Sequence, residues 1–315
     1  MSYMILGSIV PVFFVMALGY LAGWTRDIDN HHVAELTALV MDFAVPASLF
    51  VATVQTPRTL LLRQGNLMAV LAISMLLIYG LVFLLQRSLF KLDTRQAAVG
   101  SLTVAFPNLA SAGLPLMSSV FGAGHTVSVG VSLAVGSIML SPLTLVLLET
   151  GEQTPKDVPV LRHIVQSIGK SILKPIVLAP IIGMVLSLAD IDLPHLLASS
   201  LTLIGVGSGG VALFLTGLIL SSQPFTPNRN VVSGTLLKNV AHPLLAAALV
   251  LALAAPPVIG REAIILSAVP SGFFGILFGL RYRVFSVDAG STLIGSWLLS
   301  AGTLPAAILL TAATH

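Results

Sequence analysis

Apolar residues in this chain come in long, nearly unbroken runs separated by short polar stretches. A membrane-spanning helix needs about 20 predominantly apolar residues. Runs of that size fall near 3–24, 34–56, 66–86, 96–118, 125–149, 164–188, 196–221, 231–255, 262–280 and 288–311. The pattern predicts an all-α membrane protein of ten transmembrane helices. Continuous runs exclude a membrane β-barrel, whose strands alternate between apolar and polar positions. The first run, Tyr3 to Trp24, has no basic region before it and no small-residue cleavage site after it, so it reads as a first span and not a signal peptide. The longest polar connector, Glu149 to His163, gives an organisation of a five-helix half (1–149), a linker (150–163) and a second five-helix half (164–315).

Composition agrees. Hydrophobic residues make up 56% of the 315 and charged residues 9%, against about 25% charged in a soluble domain. The absence of cysteine excludes disulfides, thiolate metal sites and thiol catalysis, and neither a metal nor a cofactor is expected. The net charge of +3 is scattered over short loops, which points away from nucleic acid. Of the 15 basic residues, Arg58, Arg63 and Arg261 fall on the side shared by the termini and the rest on the other. Basic residues mark the cytoplasmic side. The expected placement is a multi-pass inner-membrane protein with both termini outside and the linker in the cytoplasm.

Two halves of five helices must enter the bilayer from opposite faces, an arrangement found in secondary transporters. A shift of 163 superposes Pro107 on Pro270, Pro142 on Pro305, Ala105 on Ala268, Ser128 on Ser291 and Ser137 on Ser300. Pro107 and Pro270 lie near the middle of the fourth and ninth runs. There each removes a helix hydrogen bond and clashes with the preceding turn. Freed backbone groups at membrane depth are tolerated where protein or a wet cavity satisfies them. A matched pair of broken helices therefore predicts a midplane site, with the amides after each proline suited to an anion.

With these residues in view, the chain resembles the auxin efflux carrier family. The resemblance rests on Val10-Pro11-Val12-Phe13 with Gly19-Tyr20, on Phe43 to Phe50 (FAVPASLF), and on Pro107 to Leu116 (PNLASAGLPL) with its N-x-x-x-x-G-x-P pattern. Pro175 to Gly183 (PIVLAPIIG) and Lys238 to Leu245 (KNVAHPLL) complete it. It implies ten helices in two inverted five-helix repeats, with helices four and nine broken and crossing beside the substrate. It also implies a scaffold of helices one, two, six and seven, a moving domain made of the rest, and a homodimer. Pro107, Asn108 and Pro270 carry over as site residues. The long regulated cytoplasmic loop of the plant members is missing, which argues against auxin itself as substrate.

The residues add further candidates. Ser111, Ser271 and Gly272 flank the breaks and join Asn108 as substrate-binding candidates, with the amides near Ser271 and Gly272 assisting Asn108. Asp42 is the carboxylate placed well inside a span, and an ionisable group there is a functional candidate. It either couples transport, pairing with a lysine, or sits hydrogen-bonded near the cytoplasmic end. Lys174 and Lys238 each either snorkel to the interface or line a vestibule that attracts the anion. His242 either relays protons or packs in the bundle. Gly205, Gly207, Gly209 and Gly210 spell a phosphate-loop pattern, but inside an apolar run they read as close helix packing.

The leading function is a secondary active carrier of a small organic anion, a carboxylate such as malonate or an auxin-like acid, working by alternating access. A sodium- or proton-coupled carrier of the same architecture is the alternative. An intramembrane enzyme lacks a zinc motif, paired aspartates within spans and a Ser–His pair.

Overall fold

The computed structural model describes residues 2–28, 33–62, 64–149, 173, 175–284 and 286–313. Among these the chain is all-helical, with no strand and a single isolated bridge between Pro107 and Ser271. Six helices are long and apolar enough to cross a membrane: Glu35–Val54, Gly65–Ser88, Ala123–Leu148, His195–Ser221, Arg229–Ala252 and Val287–Ala312. Shorter apolar helices lie at Val10–Thr25, Leu109–Phe121 and Leu178–Leu188. The linker 150–163 and Lys174 lie outside the described residues.

Proline dictates much of the local geometry. Three helices contain a π-helical segment, Leu39–Ala44, Leu109–Gly113 and Leu237–Ala241, and each is followed two residues later by a proline: Pro46, Pro115 and Pro243. A proline has no amide for the carbonyl four residues earlier and its ring crowds that carbonyl. Widening the turn to i→i+5 bonding relieves the crowding, as in the Val45 amide donating to the Val40 carbonyl and the His242 amide to Leu237. The carbonyls four residues before these prolines are those of Asp42, Ser111 and Asn239, so three polar residues sit on the widened turns. Pro142 and Pro305, by contrast, lie inside the helices Thr126–Glu149 and Val287–Ala313.

The helices cluster into two compact units, each drawing on both halves of the sequence. One comprises Met1–Met68, Leu109–Ala134 and Leu173–Ser222, the other Ala69–Asn108, Val135–Ile172 and Gln223–His315. The first is held by small-residue packing. Gly19 lies against the backbone of Phe214, Gly217 against that of Met16, and a Cβ on Gly183 would stand 2.9 Å from the Phe50 carbonyl oxygen. With lipid on the outside as apolar as the core, such close approach is what holds membrane helices together. The glycine cluster of the seventh run divides: Gly205 abuts Ser48 and Gly209 abuts Pro115, while Gly207 and Gly210 face open space. Helix packing is thus the role of two of the four.

Candidate functional site

The second unit contains the crossing. The helix Thr94–Ala105 starts at Asp93, whose carboxylate accepts from the amides of Arg95 and Gln96 at 2.8 and 2.9 Å. It stops at Phe106, whose φ of −101° and ψ of 105° are extended. The helix Pro257–Ala268 stops in the same way at Val269, with φ −54° and ψ 135°. In both cases the next residue is proline, which drives its predecessor out of the helical region.

The two extended segments then meet. The Asn108 amide donates to the Pro270 carbonyl at 2.8 Å, and the Gly272 amide donates to the Phe106 carbonyl at 2.9 Å. This exchange satisfies backbone groups that the broken helices would otherwise leave bare. Glycine is required at 272, because a Cβ there would stand 2.8 Å from the Phe106 oxygen and 3.1 Å from that of Pro107. The Phe106 ring stacks on Phe274 with centroids 4.9 Å apart, and a Cβ on Gly136 would stand 2.8 Å from the same ring.

A second layer supports the crossing. The Ser271 amide donates to Ser296 Oγ at 2.9 Å, and that hydroxyl donates to Asn239 Oδ1 at 2.6 Å. Asn239 Nδ2 in turn donates to the Ser296 carbonyl at 2.8 Å and to Thr303 Oγ1 at 3.4 Å. The widened turn Leu237–Ala241 therefore reaches the crossing through one asparagine. The same turn carries Lys238, fully buried, whose Nζ donates to the Ser267 carbonyl at 2.7 Å and lies 3.1 Å from His242 Nδ1. Ser267 is in the last turn of its helix, where carbonyls lack amide partners and a cation is favoured. The Lys238 side chain thus caps the half-helix that leads into Pro270.

Most of the candidate residues converge. Pro107, Asn108, Pro270, Ser271 and Gly272 form the crossing itself, and Asn108 and Ser271 are buried. The Ser271 hydroxyl and His242 Nε2 are buried with no hydrogen-bond partner among the described residues. The amides expected to receive an anion are already committed, those of Asn108 and Gly272 across the crossing and that of Ser271 to Ser296. Of the side chains at the crossing, the Ser271 hydroxyl is the one buried without a hydrogen-bond partner among the described residues.

Other candidates are placed elsewhere. Lys238 neither snorkels nor lines a mouth; its side chain is fully enclosed and its Nζ donates to a helix-end carbonyl. Ser111 belongs to the first unit, on the turn Leu109–Gly113, where the Thr216 hydroxyl donates to it at 3.3 Å. Asp42 is also in the first unit, with its side chain exposed at the protein surface. Lys238 donates instead to the Ser267 carbonyl and lies beside His242 Nδ1. Ser296 and Asn239 were not anticipated as site residues. The signal for Ser296 was a run of small polar residues at helical spacing (Thr292, Ser296, Ser300, Thr303), and for Asn239 its position next to Lys238 and four before a proline.

Comparison with known proteins gives a consistent picture. A family model described as "Membrane transport protein" matches residues 4–308. The chain is 25% identical over 309 residues to "Uncharacterized transporter YfdV" of Escherichia coli (strain K12), covering 95% of both chains. It is 23% identical over 305 residues to a protein of Rhizobium meliloti (strain 1021) named "Putative malonate transporter", covering 95% of this chain and 93% of that one.

Proposed function

The chain belongs to the membrane transport protein family, and on that premise we propose that it is a secondary active transporter of a small organic anion, working by alternating access with the substrate held at the crossing of residues 106–108 and 270–272. The observation that carries this reading is a buried, unpartnered Ser271 hydroxyl at the crossing of two broken helices, one of which carries at Ser267, three residues before Pro270, the carbonyl bonded by a buried lysine. Together with the Asn108 side chain these groups suit a carboxylate. The R. meliloti relative's name points the same way, which makes malonate and other small carboxylates the first compounds to test. A family of transporters also favours this reading over an intramembrane enzyme.

The architecture we propose is ten spanning helices in two inverted five-helix repeats, 1–149 and 164–315, joined by the linker 150–163. Helix boundaries support it. Under the shift of 163, Thr94–Ala105 falls on Pro257–Ala268, and Gly65–Ser88 falls one residue from Arg229–Ala252. The charge distribution supports an inner-membrane orientation with both termini outside. The homodimer comes from the family resemblance.

Binding is tested on the purified protein by thermal stabilisation with dicarboxylates, monocarboxylates and indole acids. Stabilisation by one class, lost in Asn108→Ala, supports the site. Reconstituted vesicles that accumulate none of these anions under any imposed gradient would overturn the transporter reading.

A further inference from the structure

Two buried groups that can each carry a proton meet on the turn that braces the crossing. Lys238 Nζ lies 3.1 Å from His242 Nδ1 and donates to the Ser267 carbonyl at 2.7 Å. Both side chains are fully buried, and His242 Nε2 has no hydrogen-bond partner among the described residues. Helix capping accounts for the bond to Ser267. It needs no histidine, and it leaves the second ring nitrogen unexplained.

The contact allows two arrangements that differ by one proton. A neutral imidazole carries its proton on one nitrogen and accepts on the other. In the first arrangement His242 Nδ1–H donates to a neutral Lys238 amine, an amine N–H donates to Ser267, and Nε2 is bare. In the second, an ammonium donates both to Ser267 and to Nδ1, and the imidazole proton is on Nε2. A proton arriving at Nε2 while the Nδ1 proton passes to Nζ converts the first into the second. Both arrangements keep the same two contacts. A doubly charged pair is excluded, because two cations this close repel strongly away from water.

On the reading that the crossing holds an anion, we propose that Lys238 and His242 together form the proton site of an anion–proton symporter. One proton is taken from the side on which the anion enters and is released with it on the other. A charge enclosed within the membrane is costly unless it is neutralised. A carboxylate at the crossing and a proton on the pair therefore each favour the other, and the coupling is reciprocal. The pair is attached to both parts of the ninth-run break. It reaches the half-helix that leads into Pro270 through Ser267, and the Ser271 amide through the neighbouring Asn239 and Ser296. Because both side chains are closed to solvent, the proton exchanges through the motion that admits the anion.

The charged residues on the elements packed against this turn are Arg95, Arg229, Arg261, Glu262 and Asp288. Arg95 donates to the Tyr282 carbonyl, and Asp288 accepts from Asn228 and Asn230. Arg229 opens its helix, nine residues before Lys238. Glu262 is buried and lies next to Arg261, five residues before Ser267, or ~7.5 Å along the helix axis. It is the carboxylate to test as a rival proton carrier.

Calorimetric titration of the purified protein in two buffers of different ionisation heat counts the protons taken up on binding. Malonate is the probe, at about pH 7.5, well above the carboxylate range. A net uptake approaching one proton per malonate is expected. His242→Gln should bind malonate with no uptake, and Glu262→Gln should keep it. Where His242→Gln no longer binds, nitrogen-15 NMR of histidine-labelled wild-type protein decides: the His242 imidazole proton should move from Nδ1 to Nε2 when malonate is added. Binding without proton uptake, uptake that persists in His242→Gln, uptake lost in Glu262→Gln instead, or a fixed His242 tautomer would each overturn the proton site and leave the carrier reading standing. Binding of neither malonate nor any other small carboxylate would overturn the carrier reading, and the proton site with it.

Discussion

The Asn108 amide donates to the Pro270 carbonyl at 2.8 Å, and through this bond two prolines from different halves of the chain become parts of one site. Each proline breaks its own helix, and each break supplies what the other needs. The arrangement is self-sealing on the backbone side. Among the described residues it leaves the Ser271 hydroxyl, and not the amides, without a partner.

Gly272→Ala tests how closely the segments must approach. Its Cβ would stand 2.8 Å from the Phe106 oxygen, a backbone atom with no freedom to move aside. Overpacking of this kind costs about 1–3 kcal/mol. A lowered unfolding temperature together with at least tenfold slower transport is expected. Gly210→Ala, which meets open space, should leave both unchanged.

Ser271→Ala separates binding from stability. The hydroxyl is buried and unpartnered, so its removal should shift stability by less than about 0.5 kcal/mol. If the hydroxyl serves the anion, the same change should weaken binding by about 1 kcal/mol, or roughly fivefold. Calorimetric titration with the stabilising carboxylate reads the second quantity. Unchanged affinity would remove Ser271 from the site.

Lys238→Met keeps the length of the side chain and removes its charge. The Ser267 carbonyl then loses its donor, at a cost of about 1–3 kcal/mol. A cation that also attracts the substrate should, in addition, give at least tenfold weaker anion binding. Loss of stability with intact affinity would assign Lys238 to capping the helix alone.

Asn239→Leu should be among the more damaging changes in the second unit. It removes an acceptor for the Ser296 hydroxyl and two donor contacts. Ser296 is then left holding the Ser271 amide without its own partner. A destabilisation of about 2–3 kcal/mol is expected, with Ser296→Ala milder. Chemical unfolding in detergent measures both.

Gly217→Val probes the first unit by itself. Gly217 packs on the backbone of Met16, where any side chain must push the helices apart. A loss of cooperative unfolding is expected, whereas Gly207→Ala, facing open space, should be silent.

Much of this was legible before any coordinates. Pro107 and Pro270 marked the breaks because a missing amide and a ring clash act on the nearest turn. Six of the ten apolar runs coincide with helices long enough to cross a membrane among the described residues, because run length is itself a local property. The widened turns before Pro46, Pro115 and Pro243 were not foreseen, although their cause is equally local. The fate of the freed amides is not local: those of Asn108, Ser271 and Gly272 are taken up by partners from distant segments.

Sequence alone determined that the chain is helical and membrane-spanning, and where two of its helices must fail, since apolar run length and proline chemistry are properties of neighbouring residues. Only the tertiary structure decided that Asn108 bonds Pro270, that Lys238 is enclosed at a helix end, and that Ser296 and Asn239 brace the crossing. Those outcomes depend on which donor meets which acceptor across distant segments. In a bilayer, where water cannot satisfy a bare polar group, each such group is settled by whichever partner the fold brings within reach.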